Sequence, residues 1–103
     1  IEILNGCGIS GLADKYTNFF RENGYDVIQS KNAENFNFDK SLVILRVNNK
    51  DYALEVSKLL DTPSNAITEK IDYSLDCDVS VIIGKDYNKL SSFDSVIELS
   101  PPY

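Results

Sequence analysis

The spacing of apolar residues switches along the chain between short runs and helical stripes, and each switch marks an element. Ile1 to Leu4 is a short, almost wholly apolar run, the pattern of a strand covered on both faces. From Ile9 onward, Ile9, Leu12, Ala13, Tyr16, Phe19 and Phe20 fall on one helical stripe, while Asp14, Lys15, Asn18, Arg21 and Glu22 face away. The aromatic residues of that stripe read as core rather than as a stacking platform. Gly24 is the left-handed residue that ends such a helix. Tyr25 to Gln29, with Val27 and Ile28, reads as a second short strand. The asparagine-rich stretch Ser30 to Lys40 then forms a connection in which Phe36 and Phe38 anchor the loop onto the domain. Leu42 to Val47 is the strongest strand and is expected to be central. Asn48-Asn49 offers N-cap side chains to a second helix with the stripe Tyr52, Ala53, Val56, Leu59 and Leu60, which stops at Asp61-Thr62-Pro63. Ala66 to Ile71 alternates weakly as a strand, an acidic turn runs from Asp72 to Asp78, and Val79 to Gly84 is a further apolar strand. Beyond it Tyr87, Leu90 and Phe93 have helical spacing, and Val96 to Leu99 reads as a last short edge strand.

Helices alternating with apolar strands predict an α/β fold: a single small α/β sandwich in the order β-α-β-β-α-β-β, with about five strands and two main helices packed on the sheet. Two β-α-β halves are suggested without a residue-level repeat. Strand order stays open, because Ser30 to Ser41 fits both a crossover to a parallel neighbour and a wide hairpin. The sharpest local signal is the first strand-to-helix junction, Asn5-Gly6-Cys7-Gly8-Ile9-Ser10-Gly11. Its glycines match the G-x-G-x-x-G spacing with which dinucleotide-binding folds bring backbone close to a pyrophosphate at a helix start. The acidic residue expected at the end of the second strand is missing, however, since Gln29-Ser30 stands there. The structural reading is a tight turn in which Gly6 and Gly8 reverse the chain and Gly11 lets the helix approach the sheet, leaving free N–H groups where an anion could sit.

The chain has 103 residues, room for one domain, and an ordinary globular balance of 43% apolar and 25% charged residues. Its net charge of −6 repels phosphate backbones and anionic lipid, and the Lys and Arg residues are scattered along the sequence, so nucleic acid and direct membrane contact are not expected partners. No apolar run approaches the ~20 residues of a membrane helix. The opening at Ile1 and the close at Pro101-Pro102-Tyr103 suggest a domain excised from a longer protein.

The sequence contains no histidine, which removes Ser-His-Asp and Cys-His catalysis and the H-E-x-x-H zinc motif. A P-loop is absent too. Cys7 at a helix start lacks a partner base, so a catalytic thiol is not expected. Cys7 and Cys77 read as free, partly buried thiols; if the first and last confident strands run parallel, they lie at opposite sheet ends. Asp72, Asp76 and Asp78, followed by Asp86 and Asp94, do not meet the EF-hand pattern and read as a solvated acidic turn rather than a metal site. No catalytic residue, metal or cofactor is expected.

With these residues in view, the chain resembles the LytR C-terminal domain, a small module found behind the catalytic domain of many LytR-CpsA-Psr cell-envelope proteins. The resemblance rests on Ile3-Leu4-Asn5-Gly6-x-Gly8 with Gly11-Leu12-Ala13, on Asn23-Gly24-Tyr25-x-Val27, and on the apolar strand Leu42 to Leu45. Ala53 with Leu59-Leu60, and Asp78-Val79-x-Val81-Ile82-Ile83-Gly84-x-Asp86-Tyr87, complete it, so that it covers nearly the whole chain. Cys7 departs from the small polar residue expected there. The resemblance implies an extracytoplasmic accessory domain, its parent anchored in the cell membrane, whose phosphotransferase chemistry belongs to a separate catalytic domain.

Two functional readings follow. The first is a non-catalytic interaction module at the cell surface, contacting an envelope polymer or a protein partner through a loop surface formed by Asn5, Gly6, Gly8, Ser10, Gly11, Gly84, Asp86 and Tyr87. The second is a nucleotide- or phosphate-binding domain that uses the Gly6-Gly8-Gly11 turn.

Overall fold

A computed structural model describes residues 1–63 and 66–98. The elements run β1 (Glu2–Asn5), α1 (Leu12–Glu22), β2 (Gln29–Asn32), β3 (Leu42–Leu45), α2 (Lys50–Leu60), β4 (Ile67–Glu69), β5 (Val79–Ile83) and α3 (Ser92–Glu98). The predicted α/β sandwich with five strands in β-α-β-β-α-β-β order is therefore the fold. The strands form one mixed sheet in the order β2-β1-β5-β3-β4. β1 pairs parallel with both β2 and β5, β3 pairs antiparallel with β5, and β3 pairs parallel with β4.

Strand alternation separates two faces. Ile3, Val43, Leu45, Val79, Val81 and Ile83 point to one face and pack with Leu12, Tyr16, Phe19 and Phe20 of α1 and Ala53, Val56 and Leu60 of α2 in a single core. Leu4, Ile44 and Ile82 point to the other face, where Ala33, Phe38 and Leu42 pack against them. Both main helices thus lie on the same side of the sheet. Among the described residues the opposite side carries no α-helix.

Helix boundaries follow local chemistry. Gly11 at φ 78° sits at the α1 N-cap, so Ile9, expected on the helical stripe, precedes the helix and is exposed. Gly24 at φ 88° ends α1 as expected. Asn49 caps α2 by accepting the Tyr52 N–H at 3.3 Å, and Asp61 in the left-handed region closes it. Asp61 also accepts the backbone N–H and hydroxyl of Ser91 at 3.1 and 2.7 Å, tying the start of α3 to the end of α2.

Two expected elements differ. The second strand is not Tyr25 to Gln29 but the polar stretch Gln29–Asn32. Val27 is buried in the core, and β2 is an edge strand whose side chains are mostly exposed, so its apolar content is low. The expected terminal strand from Val96 is helical as far as Glu98, with Val96 fully buried on the helical side of the molecule, and Leu99 lies outside the described residues. A spacing of Leu90, Phe93 and Val96 is three residues per step, which is helical rather than extended.

The open question of strand order is answered on the side of the wide hairpin: β2 and β3 run antiparallel and are joined at one end of the sheet, but as non-neighbours. β2 and β3 are separated by β1 and β5, so Ala33 to Ser41 must travel across the carboxyl ends of those two strands. It is held there as a strap: Ala33 N–H donates to the Asn5 carbonyl at 2.8 Å, Phe38 N–H to the Gly6 carbonyl at 3.2 Å, and Lys85 N–H to the Phe38 carbonyl at 2.8 Å.

Candidate functional site

The strap explains both glycine-containing strand exits. A Cβ on Gly6 would lie 2.7 Å from Ile82 Cγ2 and 2.8 Å from the Phe38 ring, and one on Gly84 would overlap the Lys40 carbonyl group and fall 2.7 Å from Ser41 N. Each glycine thus opens the space through which the strap passes. Asp86 locks the arrangement from the β5 side, accepting the Ser41 N–H and hydroxyl at 2.8 Å each, while the Ser41 hydroxyl accepts the Gly84 N–H at 2.9 Å. Tyr87 stacks edge-on against Phe93, with centroids 5.1 Å apart, and so faces α3.

Of the eight loop residues singled out from sequence, Gly6, Gly84 and Asp86 come together around the strap. Asn5, Gly8, Ser10 and Gly11 form the first turn beside them. Gly8 at φ 80° lies against the Phe36 ring, and Ser10 and Gly11 are exposed. Asn5 is buried and organises this turn: its Oδ1 accepts the N–H groups of Cys7 and Gly8 at 3.2 and 3.0 Å, and its Nδ2 donates to the Ile9 carbonyl at 2.7 Å. Two N–H groups expected to be free are therefore already bonded. A crevice of about 330 Å³ remains between this turn, the start of α1 and the end of β2, and it contains the Asp14 carboxylate, which accepts the Ser30 hydroxyl at 2.7 Å.

A larger concavity lies elsewhere, on the sheet face opposite the two main helices. It is a groove of about 640 Å³, floored by Leu4, Ile44 and Ile82 and walled by Phe38 of the strap on one side and Leu75 on the other. Beside its apolar floor runs a line of hydrogen-bonded polar groups drawn from β2, β1, β5 and the residue after β3. Gln29 Nε2 donates to Glu2 Oε1 at 2.8 Å, the Ser80 hydroxyl donates to Glu2 Oε2 at 2.6 Å, and Arg46 Nε donates to the Ser80 hydroxyl at 2.9 Å. The Lys31 ammonium lies 3.8 Å from Glu2 Oε1. Glu2 is only 2% exposed, so these donors replace the water its carboxylate has lost.

The groove also gathers cations that look scattered in the sequence. Lys31, Arg46 and Lys70 all line it, and Arg46 Nη1 donates to the Lys70 carbonyl at 3.2 Å. Sequence reasoning treated these residues separately. The signal that could have found the site is the lone polar residue inside each apolar run: Glu2 in Ile1 to Leu4, Arg46 in Leu42 to Val47, and Ser80 in Val79 to Ile83. The register pairs Ser80 with both Glu2 and Ile44, two residues before Arg46, so the three meet on one face.

The remaining chemistry is sparse. Cys7 is half-buried and Cys77 buried, both free thiols, and because β1 and β5 run parallel they lie at opposite ends of the sheet. Burial pushes the Cys77 thiol up, away from the thiolate form. Among the described residues no group of three or more Cys, Asp or Glu side chains is placed to hold a metal ion. Asp72 turns its carboxylate to the N–H and hydroxyl of Ser74, which hold its carboxyl below the usual range, so that part of the acidic segment is a capped 3-10 turn at Tyr73–Leu75. Tyr16 is fully buried, and among the described residues its hydroxyl makes no hydrogen bond; the nearby Ser92 hydroxyl donates to the Leu60 carbonyl at 2.6 Å.

Among protein families, the one described as the LytR cell envelope-related transcriptional attenuator matches residues 1–87. Searches of curated proteins and of solved structures returned no match. The matched span reaches from β1 through Tyr87 and takes in the strap, both glycine exits and the groove. No helix among the described residues is long and apolar enough to cross a membrane.

Proposed function

Because the chain belongs to the LytR C-terminal family, an accessory domain family of cell-envelope proteins, we propose that it is a non-catalytic binding module that contacts an envelope polymer or a protein partner. In this reading residues 1–103 are one domain of a longer, membrane-anchored protein and work outside the cytoplasm at the cell surface. The observation that carries it is the groove, where the sheet face opposite the two main helices gathers an apolar floor and three cations in a chain of net charge −6. The exposed rim formed by Gly8, Ser10 and Gly11 is a second surface, separate from the groove.

Titration of the labelled domain with purified wall polymer and with partner ectodomains, followed by amide NMR, tests the proposal. Shifts confined to the groove or to the loops at residues 5–11 and 84–87 support it. Titrations that move neither set remove it. The nucleotide reading has weaker support, because Asn5 occupies two N–H groups of the turn and Asp14 places a carboxylate in the adjoining crevice. A thermal-shift screen with NAD, FAD, nucleotides and sugar phosphates is expected to show no stabilisation.

A further inference from the structure

The groove is not electrostatically uniform along its length. At the β2 end, Lys31 is next to the Glu2 carboxylate, and the exposed Glu34 also lines the wall. At the β3–β4 end, Arg46 and Lys70 stand together with neither ammonium nor guanidinium ion-paired among the described residues, and Arg46 uses Nε and Nη1 but leaves Nη2 unbonded. Of the acids near that end, Asp72 has its carboxylate committed to Ser74, and the buried Glu2 carboxylate, which Arg46 reaches only through the Ser80 hydroxyl, is committed to Ser80 and Gln29. Between the ends lie Ile44, Ile82 and Leu4, with Phe38 and Leu75 as walls. The groove crosses all five strands, which at the usual inter-strand spacing makes it about 19 Å long.

We infer that the groove takes an amphiphilic anion: an unbranched apolar chain lying across β3, β5 and β1 with a single anionic head group on Arg46 and Lys70. An apolar floor closed by two cations at one end selects that combination, because a charged ligand without a chain leaves the floor wet, and a neutral chain leaves the guanidinium unpaired. A phosphate and a carboxylate head share the required chemistry. The inference rests on the binding-module reading and narrows its ligand class.

The test uses four probes on the labelled domain, each below its micelle concentration: dodecanoate, dodecyl phosphate, neutral dodecyl maltoside and inorganic phosphate. Saturable amide shifts at residues 42–46, 68–70 and 80–82 are expected with dodecanoate or dodecyl phosphate, and the stronger of the two identifies the head group. Binding at least about tenfold weaker is expected for the maltoside and for inorganic phosphate. The double variant Arg46→Gln, Lys70→Gln is expected to lower anion binding about tenfold and leave maltoside binding unchanged. Thr68→Trp, on an exposed edge-strand position that lines the groove, is expected to block both chains without disturbing the core. Shifts that appear only above the micelle concentration, or that survive Thr68→Trp, overturn the inference. If all four probes fail while a polymer or ectodomain moves groove resonances, the ligand class is wrong and the module reading stands; if those titrations fail as well, both fall.

Discussion

Individual residues carry more of this fold than their size suggests. Gly84→Ala would set a methyl group into the Lys40 carbonyl group, a backbone obstacle that no rotamer change relieves, so it is expected to destabilise the domain by about 2 kcal/mol or more in urea unfolding. Gly11→Ala meets nothing within 4 Å and bears only the left-handed strain of φ 78°, about 1 kcal/mol. Because Gly84 has no left-handed φ, the first loss reports the strap contact and the second backbone conformation. Tyr16→Phe removes a buried hydroxyl that has no partner among the described residues, and the expected result is unchanged or higher stability by up to about 1 kcal/mol in the same measurement. Glu2 is the opposite case, a buried carboxylate whose oxygens accept from Gln29 and Ser80, where loss of the charge leaves those donors without an acceptor.

At the scale of elements, the strap is the contact that joins the two ends of the sheet. Phe38→Ala strips a half-buried ring from the groove wall and is expected to lower stability by about 1–2 kcal/mol. Hydrogen exchange should then quicken at the Phe38 and Lys85 amides before it quickens in β1 or β5. Much of the element pattern was legible from residue spacing. Both main helices, the Asn49 cap and the Leu42 and Val79 strands depend on local periodicity and capping, which a sequence displays directly. β2 was not legible where it lies, because an edge strand buries little and Gln29-Ser30-Lys31-Asn32 looks like loop. The route of the strap was hidden for a different reason. It depends on β5, some forty residues later, inserting between β1 and β3, and no local pattern announces a strand order. The glycine turn was visible, but its role was not: the spacing of Gly6, Gly8 and Gly11 cannot tell a phosphate from the protein's own Phe36 and Phe38.

The whole molecule should show its buried tyrosines in its response to alkali. Burial pushes the Tyr16 phenol well above its ordinary value. Burial, with the hydrogen bond to Glu55, pushes Tyr25 up to about 12, and burial raises Tyr52 as well. Raised values mean the folded state holds these protons more tightly than the unfolded chain. The associated stability is fully present below pH 10 and is lost as pH rises above it through the folded-state values. Unfolding free energy measured from pH 8 to 12 is therefore expected to fall, and to fall less steeply in Tyr16→Phe. Asp61 and Asp72 act at the other extreme: serine donors lower both, so their contribution exists above about pH 4 and fades as pH drops further. The strand order also has a kinetic consequence. β1 with β2, and β3 with β4, are separate two-stranded pairs until β5 bridges them, and β5 is the last strand among the described residues. Two-stranded pieces are marginal alone. A chain that emerges amino-terminus first therefore has no complete sheet to form until residue 83 is available, and it should stay unfolded, and open to chaperones, until β5 has emerged.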